Sequence, residues 1–148
     1  MNVSTIPAVL DYLVAGISAA LPDVQVVDGQ PITTEDNLIC IGFTSTPGEA
    51  AVVNTLSQQG LAREPDREAY EITSVASTFN GGTDAKAVRD QCFALLGEVA
   101  AFLNSDPMLG GLVMQARMST EALASEQTTD GAVATVQFTI AIDAYANR

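Results

Sequence analysis

One long helical pattern, set between alternating runs, most constrains how this chain can fold. The apolar residues of that pattern recur every three or four positions: Ala85, Val88, Cys92, Leu95, Leu96, Val99, Phe102 and Leu103. One-sided spacing of this kind predicts an amphipathic helix of about five turns that covers an apolar surface. Thr83 or Asp84 is placed to cap its start, and Pro107 with a glycine pair follows its end.

Runs with period-two alternation on both sides of this helix predict a sheet for it to cover. The run from Ala69 to Phe79 places Tyr70, Ile72, Ser74 and Ala76 on one face. Two more runs, Leu112–Ser125 and Ala132–Tyr145, follow the helix. Asp130-Gly131 between them is typical of a hairpin turn.

The N-terminal part of the sequence predicts a second helix and shorter strands. Its apolar stripe comprises Ile6, Leu10, Leu13, Val14, Ile17 and Leu21, preceded by Ser4 or Thr5 as cap and closed by Pro22. Asp11 interrupts the run, which is therefore neither a signal peptide nor a membrane span. A short strand ending in an Asp28-Gly29 turn and a β-rich run over 37–44 follow. Residues 49–63 fit a strand or a weak helix, and we favour extended structure.

The order α, β, β, extended arm, β, α, β, β predicts a single α+β domain over residues 1–148. Its core would be one mainly antiparallel sheet with two helices packed on one face. No stretch resembles a linker between domains, and no internal repeat is evident.

The charge balance disfavours a protein that grips nucleic acid. Acidic residues number 18 against 6 basic ones, which gives a net charge of −12. Affinity for nucleic acid comes mainly from cations that neutralise phosphates. The charged fraction of 16% is low, which suggests that neighbouring subunits cover part of the surface. Small uncharged polar residues that keep the surface hydrated are the alternative.

No residue pattern indicates a cofactor, a metal ion or catalysis. The chain has no histidine, and Cys40 and Cys92 lie in apolar patterns that predict buried, reduced thiols. A Gly81-Gly82 phosphate loop is disfavoured because Asp84 would satisfy the helix N-terminus itself. We expect a non-enzyme, although a pair of carboxylates acting as acid and base remains the alternative.

Acidic and basic residues interleave between positions 63 and 71. Glu64, Asp66, Glu68 and Glu71 alternate with Arg63 and Arg67. Pairing of these charges across a strand or subunit boundary is one interpretation, and a solvated face is the other.

The whole order, with its most distinctive stretch "GGTDAKAVRDQCFALLGEVAAFLNSDPMLGG", resembles the tail-terminator family of long-tailed bacteriophages. Ala87, Arg89, Asp106-Pro107 and the glycine pair 110–111 are its most family-like residues. The final hairpin with Gly131 completes the likeness, which covers most of the chain.

The resemblance implies a structural virion protein and no catalysis or cofactor. Such proteins assemble as a homo-hexameric ring at the head-proximal end of the tail tube, stop tube polymerisation and present a surface to the head–tail connector. The implied partners are further copies of the chain, the tail-tube protein and the connector, with DNA passing through the ring unread. Assembly would take place in the host cytoplasm, and the site in the virion would be the neck end of the tail.

The resemblance also directs attention to the residues that would meet a neighbouring subunit. We expect the arm over residues 49–67 to make such contacts. The individual candidates are Arg63, Arg67, Glu68 and Arg117. The three arginines are natural partners for acidic residues on an adjacent subunit in so acidic a chain. The alternatives are a connector or other neck component, and a binding module that adds a strand to the sheet of a partner.

Overall fold

The computed structural model describes residues 3–31, 36–44, 46, 48–57, 66–82, 84–128 and 131–146, with the backbone alone for 125–128. Two helices, α1 (Ile6–Ala20) and α2 (Ala85–Ser105), are present. The strands are β1 (Gln25–Asp28), β2 (Asn37–Ile41), β3 (Val52–Ser57), β4 (Arg67–Asn80), β5 (Gln115–Thr128) and β6 (Gly131–Tyr145). This order and its single sheet confirm the predicted α+β fold.

The six strands form one mixed sheet in the order β1-β2-β4-β6-β5. The long strand β4 pairs with β6 along its whole length on one side. On its other side its first half pairs with β3 and its second half with β2. These pairs are antiparallel, and β1 alone pairs in parallel, with β2. The Asp28-Gly29 turn therefore does not close a hairpin between β1 and β2.

Both helices pack on the same face of the sheet. The inward residues of β6 are Ala132, Ala134, Val136, Phe138, Ile140, Ile142 and Ala144, and each is buried. The helices also meet each other, because Phe102 of α2 lies over Gly16 of α1. A Cβ atom on Gly16 would come within 2.3 Å of that ring. Cys40 and Cys92 are buried free thiols, as predicted. Cys92 lies in this core, and Cys40 lies on the other face of the sheet, opposite Val75.

The Gly81-Gly82 pair lies at the joint between β4 and α2. The N–H of Gly82 donates to Oδ1 of Asn80 at 2.9 Å, and its carbonyl accepts from the N–H of Ala132 at 3.1 Å. Asp84 caps α2 by accepting from the N–H of Ala87 at 3.0 Å. The prediction that Thr83 or Asp84 caps this helix is confirmed for Asp84, while Thr83 lies outside the described residues.

The C-terminal hairpin differs from its sequence pattern in two places. A short 3₁₀ turn, Leu109–Gly111, lies just before the predicted run, and β5 begins only at Gln115, three residues into that run. A bulge between Met118 and Thr120 then shifts the register. Because a bulge inserts one residue, Thr120 shares a face with Arg117 instead of with Met118. The uninterrupted alternation predicted for this run is therefore wrong.

Over its described residues the arm is extended, in agreement with the favoured interpretation. Strand β3 pairs with β4 from Val52 opposite Ile72 to Ser57 opposite Arg67. The part of the arm over 58–65 lies outside the described residues.

Candidate interaction surface

The face of the sheet opposite the helices, here called the open face, brings residues of four strands into one row. Arg117 of β5 lies opposite Ala141 of β6, which lies opposite Glu71 of β4, which in turn lies opposite Val53 of β3. Residues paired in register share a face of the sheet. The row therefore sets a cation, a small residue, an acid and an apolar residue side by side on the open face.

A groove of about 570 Å³ runs over this row. Its floor is formed by Ala69 and Ala141, whose small side chains leave space above the sheet. Val53 and Glu71 line one side, and Arg117 lines the other. Val53 is 68% exposed, a large fraction for a valine. The groove therefore combines one exposed apolar residue with charges of both signs.

Arg67, at the start of β4, forms an ion pair inside its own chain with Asp143, which lines the groove. Its Nε lies 2.9 Å and its Nη2 2.5 Å from the two carboxylate oxygens of Asp143, across β4 and β6. The hydrogen bonds from Arg67 lower the pKa of Asp143. Both side chains stay partly exposed, so the pair contributes little to stability. Arg67 thus pairs across a strand boundary with an acid outside the 63–71 stretch, and it offers a neighbour less than a free cation would.

Glu68, the acidic interface candidate, lies instead in the interior of the subunit. Its side chain is completely buried. Oε1 accepts from the backbone N–H of Thr5 at 2.7 Å and from the Thr5 hydroxyl, and Oε2 accepts from Nδ2 of Asn54 at 2.7 Å. Because both oxygens are occupied and shielded, we assign Glu68 to the attachment of α1 and not to a contact between subunits.

Burial and hydrogen bonds have opposite effects on the pKa of Glu68. Removal from water, the largest single effect, raises the pKa. The hydrogen bonds from Thr5 and Asn54 lower it, and together they outweigh the effect of burial, so that the pKa is below its usual range. The carboxylate is therefore charged at neutral pH. It lies against the N-terminus of α1, where the helix dipole favours a negative charge.

The remaining two candidates differ in what the structure describes. Arg117 is exposed on β5, and among the described residues it makes no ion pair. Arg63 lies outside the described residues. The sequence had not indicated Asp143 or Asn54, because their roles depend on the register between strands that are far apart in the chain.

Beyond the groove, towards the β5–β6 turn, the open face carries small hydroxylated residues. Ser119 Oγ lies 2.6 Å from Oγ1 of Thr139, and Thr120 contacts the same hydroxyl. Ser77 and Thr135 face each other across β4 and β6 at 3.5 Å. These uncharged hydroxyl groups can bind water without placing charge on the face. They are consistent with a hydrated surface and with one that neighbouring subunits cover.

Within the described part of the chain, no three acidic or cysteine side chains converge in a way that could hold a metal ion. Neither described helix is long and apolar enough to span a membrane. Comparison of the chain with models of protein families and with curated proteins finds no match.

Proposed function

We propose that this chain is a tail terminator of a long-tailed bacteriophage. Copies of it form a ring, in our proposal a hexamer, on the head-proximal end of the tail tube. The ring stops polymerisation of the tube and offers its other side to the head–tail connector. The function is assembly, and the partners are further copies, the tail-tube protein and the connector.

The observation that carries this proposal is the one-sided cover of the sheet. Helices α1 and α2 bury one face, while the open face keeps an uncovered groove with exposed Val53 and an unpaired Arg117 among the described residues. The outer strands β3 and β5 are also free of a further strand within the described sheet. A domain built in this way has its core in place and still offers a broad surface to neighbours.

The charge of the chain supports a ring that DNA passes without being held. A net charge of −12 on each copy gives an assembled ring a strongly negative field, which repels phosphates. Passage of DNA requires this absence of grip. The element order that resembles the family, described above, supports the same proposal.

Loss of the protein separates a terminator from a connector. In phage assembled without this chain, a terminator predicts overlong tubes that carry no cap. Normal tubes that fail to join heads would assign the chain to the connector or another neck component instead.

The oligomeric state tests the ring itself. Light scattering over a wide range of protein concentration, followed by electron microscopy, should show a closed ring, alone or on tube ends. A monomer at every concentration, with no ring even beside tail-tube protein, would contradict the proposal.

A further inference from the structure

The outer strands β3 and β5 lie on opposite sides of the sheet and run in opposite directions. Antiparallel pairing links β3 to β4, β4 to β6 and β6 to β5, and three reversals leave β3 and β5 antiparallel. Two such edges can pair in the antiparallel manner when a second copy is set beside the first, so that the sheet continues across the boundary.

The backbone of β3 presents three residues to the outside. The N–H of Thr73 donates to the carbonyl of Ala51 at 2.9 Å, which directs the backbone groups of residue 51 towards β4. In an antiparallel strand, every second residue directs its backbone N–H and C=O groups to the same side. Residues 53, 55 and 57 therefore face β4, and Val52, Asn54 and Leu56 direct their N–H and C=O groups outwards.

The backbone of β5 presents a longer series of outward residues, even when the covered start of its edge is set aside. The N–H of Ala116 points outwards but donates to the carbonyl of Pro107 at 2.7 Å, which covers this end. Arg117 pairs with Ala141 before the bulge, and Ala122 pairs with Gln137 after it. The residues that alternate with Arg117 and Ala122 therefore direct their backbone groups outwards. The open part of the edge thus presents Met118, Glu121 and Leu123, followed by the backbone of residues 125 and 127.

The side chains of both outward sets lie on the helix-covered face. Val52 and Met118 pack against the core, and Leu123 pairs with the buried Val136. Residues opposite each other in a ladder share a face, so pairing these edges keeps all helices on one side of the continued sheet. It also covers Leu56 and Leu123, which are 53% and 43% exposed in the single chain.

The charges of the two edges favour a second copy as the occupant. Val52–Ser57 contains no charged residue, and residues 118–124 contain only Glu121. In a chain of net charge −12, these edges are where two copies repel each other least. Neither stretch contains the lysine or proline with which exposed edges are commonly protected against pairing.

We propose that β5 of each copy pairs antiparallel with β3 of the next, and that this contact closes the ring. Met118 lies opposite Leu56, Glu121 opposite Asn54, and Leu123 opposite Val52. This register uses the three outward residues of β3 and the first three outward residues of β5 beyond the part that Pro107 covers. Because the two edges differ, the contact is head-to-tail, the type that generates rings. The inference rests on the proposed function and specifies how its subunits join.

Proline at an outward position tests the contact without touching the internal ladder. Leu56→Pro removes a donor from the β3 edge and Leu123→Pro one from the β5 edge, while the outward N–H of neither residue serves its own sheet. Each variant should raise the protein concentration required for ring formation at least tenfold. Leu56→Ala and Leu123→Ala, which keep the donor, should weaken it less. Leu56→Lys and Leu123→Lys serve as the second pair if a proline variant does not fold by circular dichroism.

Mixing the two blocked variants gives the sharper result. Leu56→Pro retains a working β5 edge and Leu123→Pro a working β3 edge, so the mixture should form a one-to-one heterodimer and nothing larger by native mass spectrometry. Rings of unchanged size from either variant, or larger assemblies from the mixture, would overturn the edge pairing.

A designed disulfide checks the register. In a chain carrying both Val52→Cys and Leu123→Cys, oxidation should link neighbouring copies into a covalent ladder, because opposed Cα atoms in a strand pair lie about 5.5 Å apart. Rings that form without this cross-link overturn the register. Wild-type rings that cap tubes while all edge variants behave normally would reject this inference and leave the proposed function standing. A wild-type chain that neither assembles nor caps tubes would reject both.

Discussion

The backbone N–H of Thr5, the residue that precedes α1, donates to the carboxylate of Glu68, 63 positions along the chain, at 2.7 Å. The hydroxyl of Thr5 does not cap its own helix. Ser4 Oγ accepts from the N–H of Ile6 at 3.0 Å, and the carboxylate of Glu68 satisfies the N–H of Thr5 itself. The same carboxylate holds Asn54 of β3 through its second oxygen. One buried charge thus joins the start of α1, the edge strand β3 and the centre of the sheet.

Replacing Glu68 by Gln should lower the free energy of unfolding by about 1–3 kcal/mol at neutral pH. The amide would point its own donors at Asn54 or Thr5, leaving a buried group without an acceptor. The exposed Glu71 on the same strand provides the matched control, since Glu71→Gln should change stability by less than about 0.5 kcal/mol. Chemical denaturation of both variants measures the difference, and equal losses would reject the role assigned to Glu68.

The pH dependence of stability should change in the same variant. The pKa of Glu68 in the folded chain lies below its ordinary value of 4.5. The charged carboxylate therefore stabilises the fold above that value, and this stabilisation is lost as the pH falls from there through the folded pKa. The gap in stability between wild type and Glu68→Gln should thus narrow on acidification from pH 7 to pH 3. A gap that is constant or widens would contradict the direction of the shift.

Gly131 should tolerate no side chain. Its φ is +147°, and a Cβ atom there would lie 2.1 Å from the carbonyl oxygen of Asn80. Gly131→Ala should therefore lower the free energy of unfolding by about 2 kcal/mol or more. Gly97 of α2 is the matched control, because nothing lies within 4 Å of its added Cβ. Gly97→Ala should stabilise the helix by about 0.5–1 kcal/mol, and a thermal or denaturant melt separates the two signs.

Arg117→Glu should weaken assembly while leaving the fold intact. Among the described residues Arg117 has no ion-pair partner inside the chain, and it lies on the open face beside the groove. Reversal of its charge should raise the concentration needed for rings several-fold and change the free energy of unfolding by less than about 0.5 kcal/mol. Arg67→Glu is the informative comparison, because it also breaks the pair with Asp143 and should lower stability as well. Normal ring formation by Arg117→Glu would remove Arg117 from the interface.

Much of the fold could be predicted because periodicity records which side chains face the core. The stripe of α2 and the alternation of β4 and β6 identified the buried residues directly. The position of Glu68 follows from the same rule, since it is two residues before the inward Tyr70 and shares its face. The charge of Glu68 suggested exposure, and the buried hydrogen bonds to Thr5 and Asn54 that make its burial possible come from distant segments.

The features that the sequence did not predict depend on register between distant strands. The pair of Arg67 with Asp143 spans 76 positions, and no local pattern links them. The bulge near Ser119 inserts one residue without a glycine or proline to mark it. Strand β1 pairs in parallel with β2 because it adds to the free edge of that strand. The local Asp28-Gly29 turn signal does not reveal this pairing.

Tube length tests the central claim most directly. Tail-tube protein of the same phage is polymerised with increasing amounts of this chain, and tube lengths are measured by electron microscopy. The terminator proposal predicts tubes that shorten and carry a ring at one end as the chain is added, with Arg117→Glu less effective at equal concentration. A length distribution unchanged by a large excess of folded chain, with bare ends throughout, would contradict it.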